Sequence, residues 1–341
     1  MTHVAAYPSG QRATVLGGGA WGTVLALLLA RRGHDVALWF RSVEQAAAVQ
    51  TSRVNQTYLP GYELPTNLSV TADLGAALSG TQLAFLAVPV KALRELLRAI
   101  APVVAATSAG HVPLVSCSKG IEIASFSRLS QVIESELPGT PVAVLSGPNL
   151  ASEIADGKAA ATTVASRSPG LAESAQALLQ QPSFRVYTST DMVGVEVGGA
   201  LKNVIALAAG MSDGLGLGDN AKAGIITRGL AEMVRFGEAQ GGEAKTLYGL
   251  SGLGDLVATC SSDRSRNHTA GWRLARGATR EELKADNLTA EGIPTAKALN
   301  QHARAAAVEL PICNEVYNVV YDGKPARAAL FDLMTRERRA E

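Results

Sequence analysis

Residues 13–40 carry the pattern that most narrows what this chain can fold into. ATVL over 13–16 reads as a buried strand, and GGGAWG over 17–22 fits GxGxxG. Thr23 to Arg32 is a helical run closed by Gly33, and Val36 to Phe40 is a second strand. A strand, a glycine turn, a helix and a strand within roughly 30 residues make one half of a dinucleotide-binding, doubly wound α/β fold. Gly17 permits the tight turn, Gly19 lets a pyrophosphate approach the backbone, and Gly22 allows close packing of helix on strand. The helix start then offers N–H groups and the positive end of its dipole to phosphate. The chain has 34 glycines, enough to produce GxGxxG by chance, so the flanking elements give the match its weight. The alternative is a glycine turn with a structural role only.

The end of the second strand bears on cofactor choice. An acidic residue there commonly holds the ribose 2′-OH of NAD. This chain has Trp39, Phe40, Arg41 and Ser42 instead. A guanidinium suits a 2′-phosphate, so NADPH is favoured over NADH, with a solvated surface arginine as the alternative.

Strand and helix patterns go on alternating. Asn55 to Pro65 is a Pro/Gly/Asn-rich segment too long for a bare turn, and is expected to be a functional loop. LAFLAV over 83–88 is a buried strand, Val90 to Val104 an amphipathic helix, and Val112 to Ser116 another strand. Lys119 follows just beyond that strand, where open α/β sheets place ligands. Helix 127–137 leads to the strand Val142 to Ser146 and the turn GPNLASE over 147–153. Thr162 to Ala165 and Phe184 to Thr188 are strands around a helix at 170–181, and there the alternation stops. These patterns divide the chain into a flexible lead (1–12), a nucleotide-binding domain (13–189) and a helical domain (190–341).

The second domain opens on VGGALKNVIALAAGM over 197–211, whose one charge is Lys202. The stretch predicts a buried helix, too short and Gly-rich for a membrane span, which takes roughly 20 apolar residues. A buried lysine is costly unless paired, so Lys202 is either a snorkelling edge residue or a functional group. A second helix is expected over Ala221 to Gln240. In GLSGLGDLVATC over 249–260, Asp255 opens a helix that sets Thr259 on its own face at i+4, or serves only as its N-cap. Ser265, Arg266 and Asn267 offer a hydroxyl, a planar fork and an amide for an anion, or else form a solvated loop. Glu291 stands alone in a turn.

Composition removes several function classes. The net charge of +1 gives no support to an extended nucleic-acid or anionic-membrane surface. Cys117, Cys260 and Cys313 are widely spaced and suggest no disulfide framework. The N-terminus lacks an apolar h-region, so a cytosolic protein without stable membrane insertion is expected. The five histidines show no metal-ligand spacing, and no metal is expected.

These motifs together resemble the bacterial NAD(P)-dependent glycerol-3-phosphate dehydrogenases. The resemblance runs from about Val15 to Leu299. It is carried by GGGAWGT (17–23), YLPG (58–61), SKGIE (118–122), SGPNLASE (146–153), GGALKNVIALAAGMSDGL (198–215), GLSGLGDLVATCSSDRSRN (249–267) and AEG (290–292). It implies a Rossmann-like N-terminal domain and an all-α C-terminal domain of the 6-phosphogluconate-dehydrogenase-like type. It also implies interconversion of dihydroxyacetone phosphate and sn-glycerol 3-phosphate with NADPH or NADH, at the head of glycerophospholipid synthesis. By motif, Lys202 is the general acid/base, with Lys119 and Asp255 beside it. Gly147, Asn149, Thr259, Ser265, Arg266 and Asn267 complete the substrate set. Gly17, Gly19, Ala20, Trp21, Gly22, Arg41, Tyr58, Lys119, Ala151, Arg266, Thr289 and Glu291 form the cofactor set. Ala20 and Asn149 stand where the family often has Ser. A homodimer is among the assemblies allowed. Two rival readings are a related dehydrogenase of another hydroxy acid and a non-catalytic dinucleotide-sensing module.

Overall fold

The computed structural model describes residues 10–105, 112–286, 288, 290–305 and 308–337. Two compact units divide the chain. The first comprises the residues up to Ser118 and Leu129–Met192; the second comprises Lys119–Arg128 and Val193–Glu341. The sequence pattern puts a boundary near residue 189, with 119–128 in the first domain; the two units meet in sequence between Met192 and Val193, and Lys119–Arg128 groups with the second.

The first unit is built on eight strands: β1 (Arg12–Leu16), β2 (Asp35–Trp39), β3 (Leu68–Thr71), β4 (Leu83–Leu86), β5 (Leu114–Ser116), β6 (Val142–Ser146), β7 (Ala160–Ser166) and β8 (Phe184–Ser189). Their order across the sheet is β8-β7-β6-β5-β4-β1-β2-β3. All neighbours are parallel except β6 and β7, which pair antiparallel from Ala143–Ser166 to Ser146–Thr163. The central strands are buried on both faces, which is why they read as unbroken apolar runs. The chain winds outward from β1 to β3 and then returns to β4 on the other side of β1. The end of β1 is therefore the topological switch point, where such sheets bind ligands. The expected loop at 55–65 is instead a short antiparallel hairpin, Val54–Asn55 against Leu59–Glu63. The expected helix at 127–137 begins two residues later, at Leu129.

Helix α1 (Ala20–Arg31) follows the glycine turn in the first unit. The second unit is helical around α2 (Met192–Gly214), 23 residues long and eight residues longer than the stretch singled out in the sequence. By length and composition α2 is the one helix among the described residues that could cross a membrane, but 89% of its apolar window is buried inside the fold. It is a core helix. Around it pack α3 (Asp219–Ala239), α4 (Asp255–Ser261), α5 (Arg266–Ala275) and α6 (Gly292–Ala305).

Glycines make α2 a spine on which backbones meet directly. A Cβ on Gly198 would lie 2.5 Å from the Ser251 carbonyl oxygen, and one on Gly214 would lie 2.6 Å from that of Trp272. Gly210 faces the His268 carbonyl, and Gly271 of α5 faces the Leu207 carbonyl in return. The segment Lys119–Arg128 joins this unit through Ile121 in its core and an ion pair from Arg128 to Glu196 at 2.6 Å. Phe126 stacks on His302, with ring centroids 3.4 Å apart.

Candidate active site

In the first unit the glycine turn has the geometry a pyrophosphate cradle needs. Gly17 has φ of 129°, which favours glycine, and a Cβ there would meet the Ala87 backbone. A Cβ on Gly22 would strike the Gly17 carbonyl, so helix and strand close only with glycine. Gly19 faces open space, with nothing within 4 Å of a Cβ position. No side chain caps α1, whose N-cap residue is Gly19, so its first N–H groups stay available for an anion. The indole Nε1 of Trp21 is buried without a hydrogen-bond partner, a donor in want of an acceptor. These features fit a bound dinucleotide phosphate. Ala20 opens α1 and contributes backbone alone.

Two residues that sequence reasoning passed over shape this turn. Asn55, almost fully buried, donates to the Gly18 carbonyl at 2.9 Å and to the Thr23 hydroxyl at 2.8 Å. The Phe40 ring fills the space a Cβ on Gly18 would need. Polar Asn55 within an apparent loop gave no hint of burial, and the hairpin that buries it was not foreseen. Arg41 is exposed just past β2. Ser42 after it caps the helix Val43–Ser52 by accepting from the Gln45 N–H. Tyr58 is exposed in the hairpin turn, and its N–H donates to Asn55 Oδ1 at 3.3 Å.

Gly147, Asn149 and Ala151 follow β6, at the same edge of the sheet as the glycine turn. Gly147 lies against Thr162, whose Cα would be 2.9 Å from a Cβ. Asn149 donates to Thr162 Oγ1 at 3.1 Å, while its Oδ1 is buried without a partner.

The second unit gathers the charged residues. Lys119 Nζ donates to Asp255 Oδ2 at 2.5 Å, and Lys202 Nζ donates to Asp255 Oδ1 at 3.0 Å. Lys202 also donates to Thr259 Oγ1 at 2.6 Å, and that hydroxyl donates to the Asp255 carbonyl at 2.6 Å. The side chains of Lys202 and Asp255 are 8% and 3% exposed, so the snorkelling reading of Lys202 does not hold. One carboxylate thus bridges two ammonium groups inside the protein. Asp255 opens α4, but its side chain serves the lysines and does not cap the helix. A five-residue π-helix, Leu250–Gly254, directly precedes it. The Cys260 thiol nearby is pushed up to about 12 by burial, and stays protonated.

Ser265, Arg266 and Asn267 form the start of α5, not a solvated loop. Ser265 is the N-cap and accepts from the His268 N–H at 3.2 Å. Asn267 is buried; its Nδ2 donates to Asn203 Oδ1 and its Oδ1 accepts from the Gly292 N–H. Arg266 is exposed and stands in the first turn, where the helix dipole favours an anion. His268 Nε2 lies 2.7 Å from Asp213 Oδ2, which also pairs with Lys222 at 2.7 Å. Burial works against the charge on Asp213, but bonds from Lys222 and His268 hold its carboxyl below the usual range. Glu291 sits in the turn ahead of α6, its carbonyl accepting from Thr295 Oγ1 at 2.8 Å. Thr289 lies outside the described residues.

Known proteins share both halves of the chain. Residues 12–172 match the family profile described as the NAD-dependent glycerol-3-phosphate dehydrogenase N-terminus, and residues 191–331 match that of its C-terminus. A glycerol-3-phosphate dehydrogenase [NAD(P)+] of Geobacter sulfurreducens is 46% identical over 335 residues, covering 97% of this chain and 99% of its own. One of the same name from Halorhodospira halophila is 47% identical over 329 residues, covering 96% and 97%. The crystal structure of glycerol-3-phosphate dehydrogenase from Coxiella burnetii superposes with a TM-score of 0.91 at 37% identity, covering 96% of this chain and all of the other. Two matched domains in order, a Rossmann-like sheet followed by a helical unit, and relatives aligned nearly end to end mean that the chain belongs to the NAD-dependent glycerol-3-phosphate dehydrogenase family.

Proposed function

We propose that the protein interconverts dihydroxyacetone phosphate and sn-glycerol 3-phosphate with a reduced or oxidised nicotinamide dinucleotide, and that Lys202 moves the proton. The observation that carries this reading is the shared carboxylate of Asp255. It orients Lys202 together with Thr259, so two of the three ammonium donors are occupied and one is left for a substrate oxygen. A reduced nicotinamide, when bound, would supply the hydride that the ketone carbon needs. As charge develops on the carbonyl oxygen, Lys202 Nζ stabilises it and gives it a proton; in the reverse direction Lys202 takes the proton from the hydroxyl. Lys119, tied to the other Asp255 oxygen, adds a second positive charge to the same cluster. Arg266 and the N–H groups opening α5 suit the phosphate of the substrate.

Gly17, Gly19, Gly22 and Trp21 would hold the dinucleotide phosphates. Arg41 favours NADPH, since no acidic side chain takes its place at the end of β2. The three cysteines are free and buried, in keeping with a reducing compartment, and we place the enzyme in the cytosol. The test is oxidation of NADPH and NADH by the purified protein with dihydroxyacetone phosphate. Arg41→Ala should raise the KM for NADPH about tenfold and leave that for NADH within about twofold. Equal losses with both cofactors would remove the 2′-phosphate role.

A further inference from the structure

Asn203 follows Lys202 on α2, is 5% exposed, and takes no direct part in the proton transfer described above. Its amide is the first link of a chain of bonds. Nδ2 donates to the Gly199 carbonyl one turn back at 3.3 Å. Oδ1 accepts from Asn267 Nδ2 at 2.9 Å, and Asn267 Oδ1 accepts from the Gly292 N–H at 2.9 Å. The backbone repeats the connection, since a Cβ on Gly292 would lie 2.8 Å from the Asn203 carbonyl carbon. Asn267 is the neighbour of Arg266 in the first turn of α5, and Gly292 is the neighbour of Glu291. One buried amide next to the proton-carrying lysine thereby fixes the two segments that bear the anion-binding arginine and Glu291.

We infer that Asn203 is a positioning residue. It acts through Asn267 to hold the first turn of α5 where its N–H groups and Arg266 receive the substrate phosphate, at a fixed offset from Lys202. Buried side-chain amides bonded to each other and to the backbone resist displacement, because a shift breaks those bonds in a dry interior. This inference rests on the reading of α5 as the phosphate end of the site. It differs from that reading in giving the Asn267 side chain a bracing role and leaving its backbone N–H for the ligand.

The test is a double-mutant cycle on kcat and KM with NADPH and dihydroxyacetone phosphate. Asn203→Ser is the informative variant. Its hydroxyl can still bond the Gly199 carbonyl in the i to i−4 manner, but it falls short of Asn267. The expected result is a KM for dihydroxyacetone phosphate raised about tenfold, as loss of one buried bond implies, with kcat within about threefold of the parent. Asn267→Ala should give the same split, and the double variant should be no worse than the larger single. A double variant whose loss is the product of the two singles would overturn the inference, because the residues would then act separately. So would a kcat loss at unchanged KM, which would place Asn203 in the proton transfer. Should Asn203→Ser melt too low to assay, Asn267→Ala alone decides, since an unchanged KM there removes the link. A parent protein inactive on dihydroxyacetone phosphate would defeat the functional reading and not this one; calorimetric binding of inorganic phosphate to the parent and Asn203→Ser proteins would then replace the kinetic readout, with equal affinity counting against the inference.

Discussion

Asp255→Ala should destabilise the protein through charge and not through volume. Asp255 receives Lys119 at 2.5 Å and Lys202 at 3.0 Å, and its side chain is 3% exposed against 18% and 8% for the lysines. Removing one partner of a buried pair costs about 3–5 kcal/mol, because the remaining charge keeps its desolvation without its compensation. Here two ammoniums lose the same anion. Lys202 bears most of the effect, and the better-hydrated Lys119 adds a smaller share together with its repulsion of Lys202. An overall cost of about 4 kcal/mol is reasonable. At roughly 2–4 °C per kcal/mol for a domain of this size, melting falls by about 8–16 °C. Scanning calorimetry of the parent and variant measures it. Adding Lys119→Met to Asp255→Ala should return part of the loss, since the repulsion between the two ammonium groups that shared the carboxylate is gone. A melting shift below about 3 °C, or no recovery on adding Lys119→Met, would refute the account of the cluster as a buried, mutually dependent set of charges.

Two further outcomes follow from packing and titration. Gly210→Ala should cost about 3 kcal/mol by forcing α2 and α5 apart at the His268 carbonyl, whereas Gly224→Ala in α3, with open space around the new methyl, should be neutral or slightly stabilising; thermal melts of the two variants compare them. Glu232 is buried and accepts from the N–H groups of Ile312 and Cys313 at 2.6 and 3.1 Å, and burial raises its pKa from 4.5 to about 7. A folded pKa above the unfolded one means that its contribution is fully present below pH 4.5 and is lost as pH rises through 7, by about 3 kcal/mol in all. Denaturant titrations at pH 5 and pH 8 should therefore show Glu232→Gln gaining on the parent at the higher pH, and a pH-independent difference would contradict this.

Much of the first unit was legible because its signals are local. Unbroken apolar runs mark strands buried on both faces, and GxGxxG has meaning through the elements that flank it. The hairpin at Val54–Glu63 was not legible, because Asn55 looks like a loop residue until its amide is seen holding the glycine turn. The excursion of Lys119–Arg128 into the second unit was hidden for a similar reason, since Ile121 and Arg128 find their partners far along the chain. In the helical unit the sequence pointed to Lys202, Asp255 and Thr259, and i, i+4 spacing explains the last two. It gave no sign that Gly198, Gly210, Gly271 and Gly292 each face one distant backbone. Ser265 and Asn267 were legible as polar but not as a helix cap and a brace, because capping depends on where α5 begins.

The central claim is that the Asp255-held Lys202 carries the proton in reduction of dihydroxyacetone phosphate. Steady-state loss of reduced-nicotinamide absorbance, with parent and Lys202→Ala proteins of equal fold by circular dichroism, tests it most directly. The account predicts turnover of dihydroxyacetone phosphate by the parent and a kcat at least about a hundredfold lower in Lys202→Ala, the scale of losing a positioned general acid. A folded Lys202→Ala protein with kcat within about threefold of the parent would contradict it.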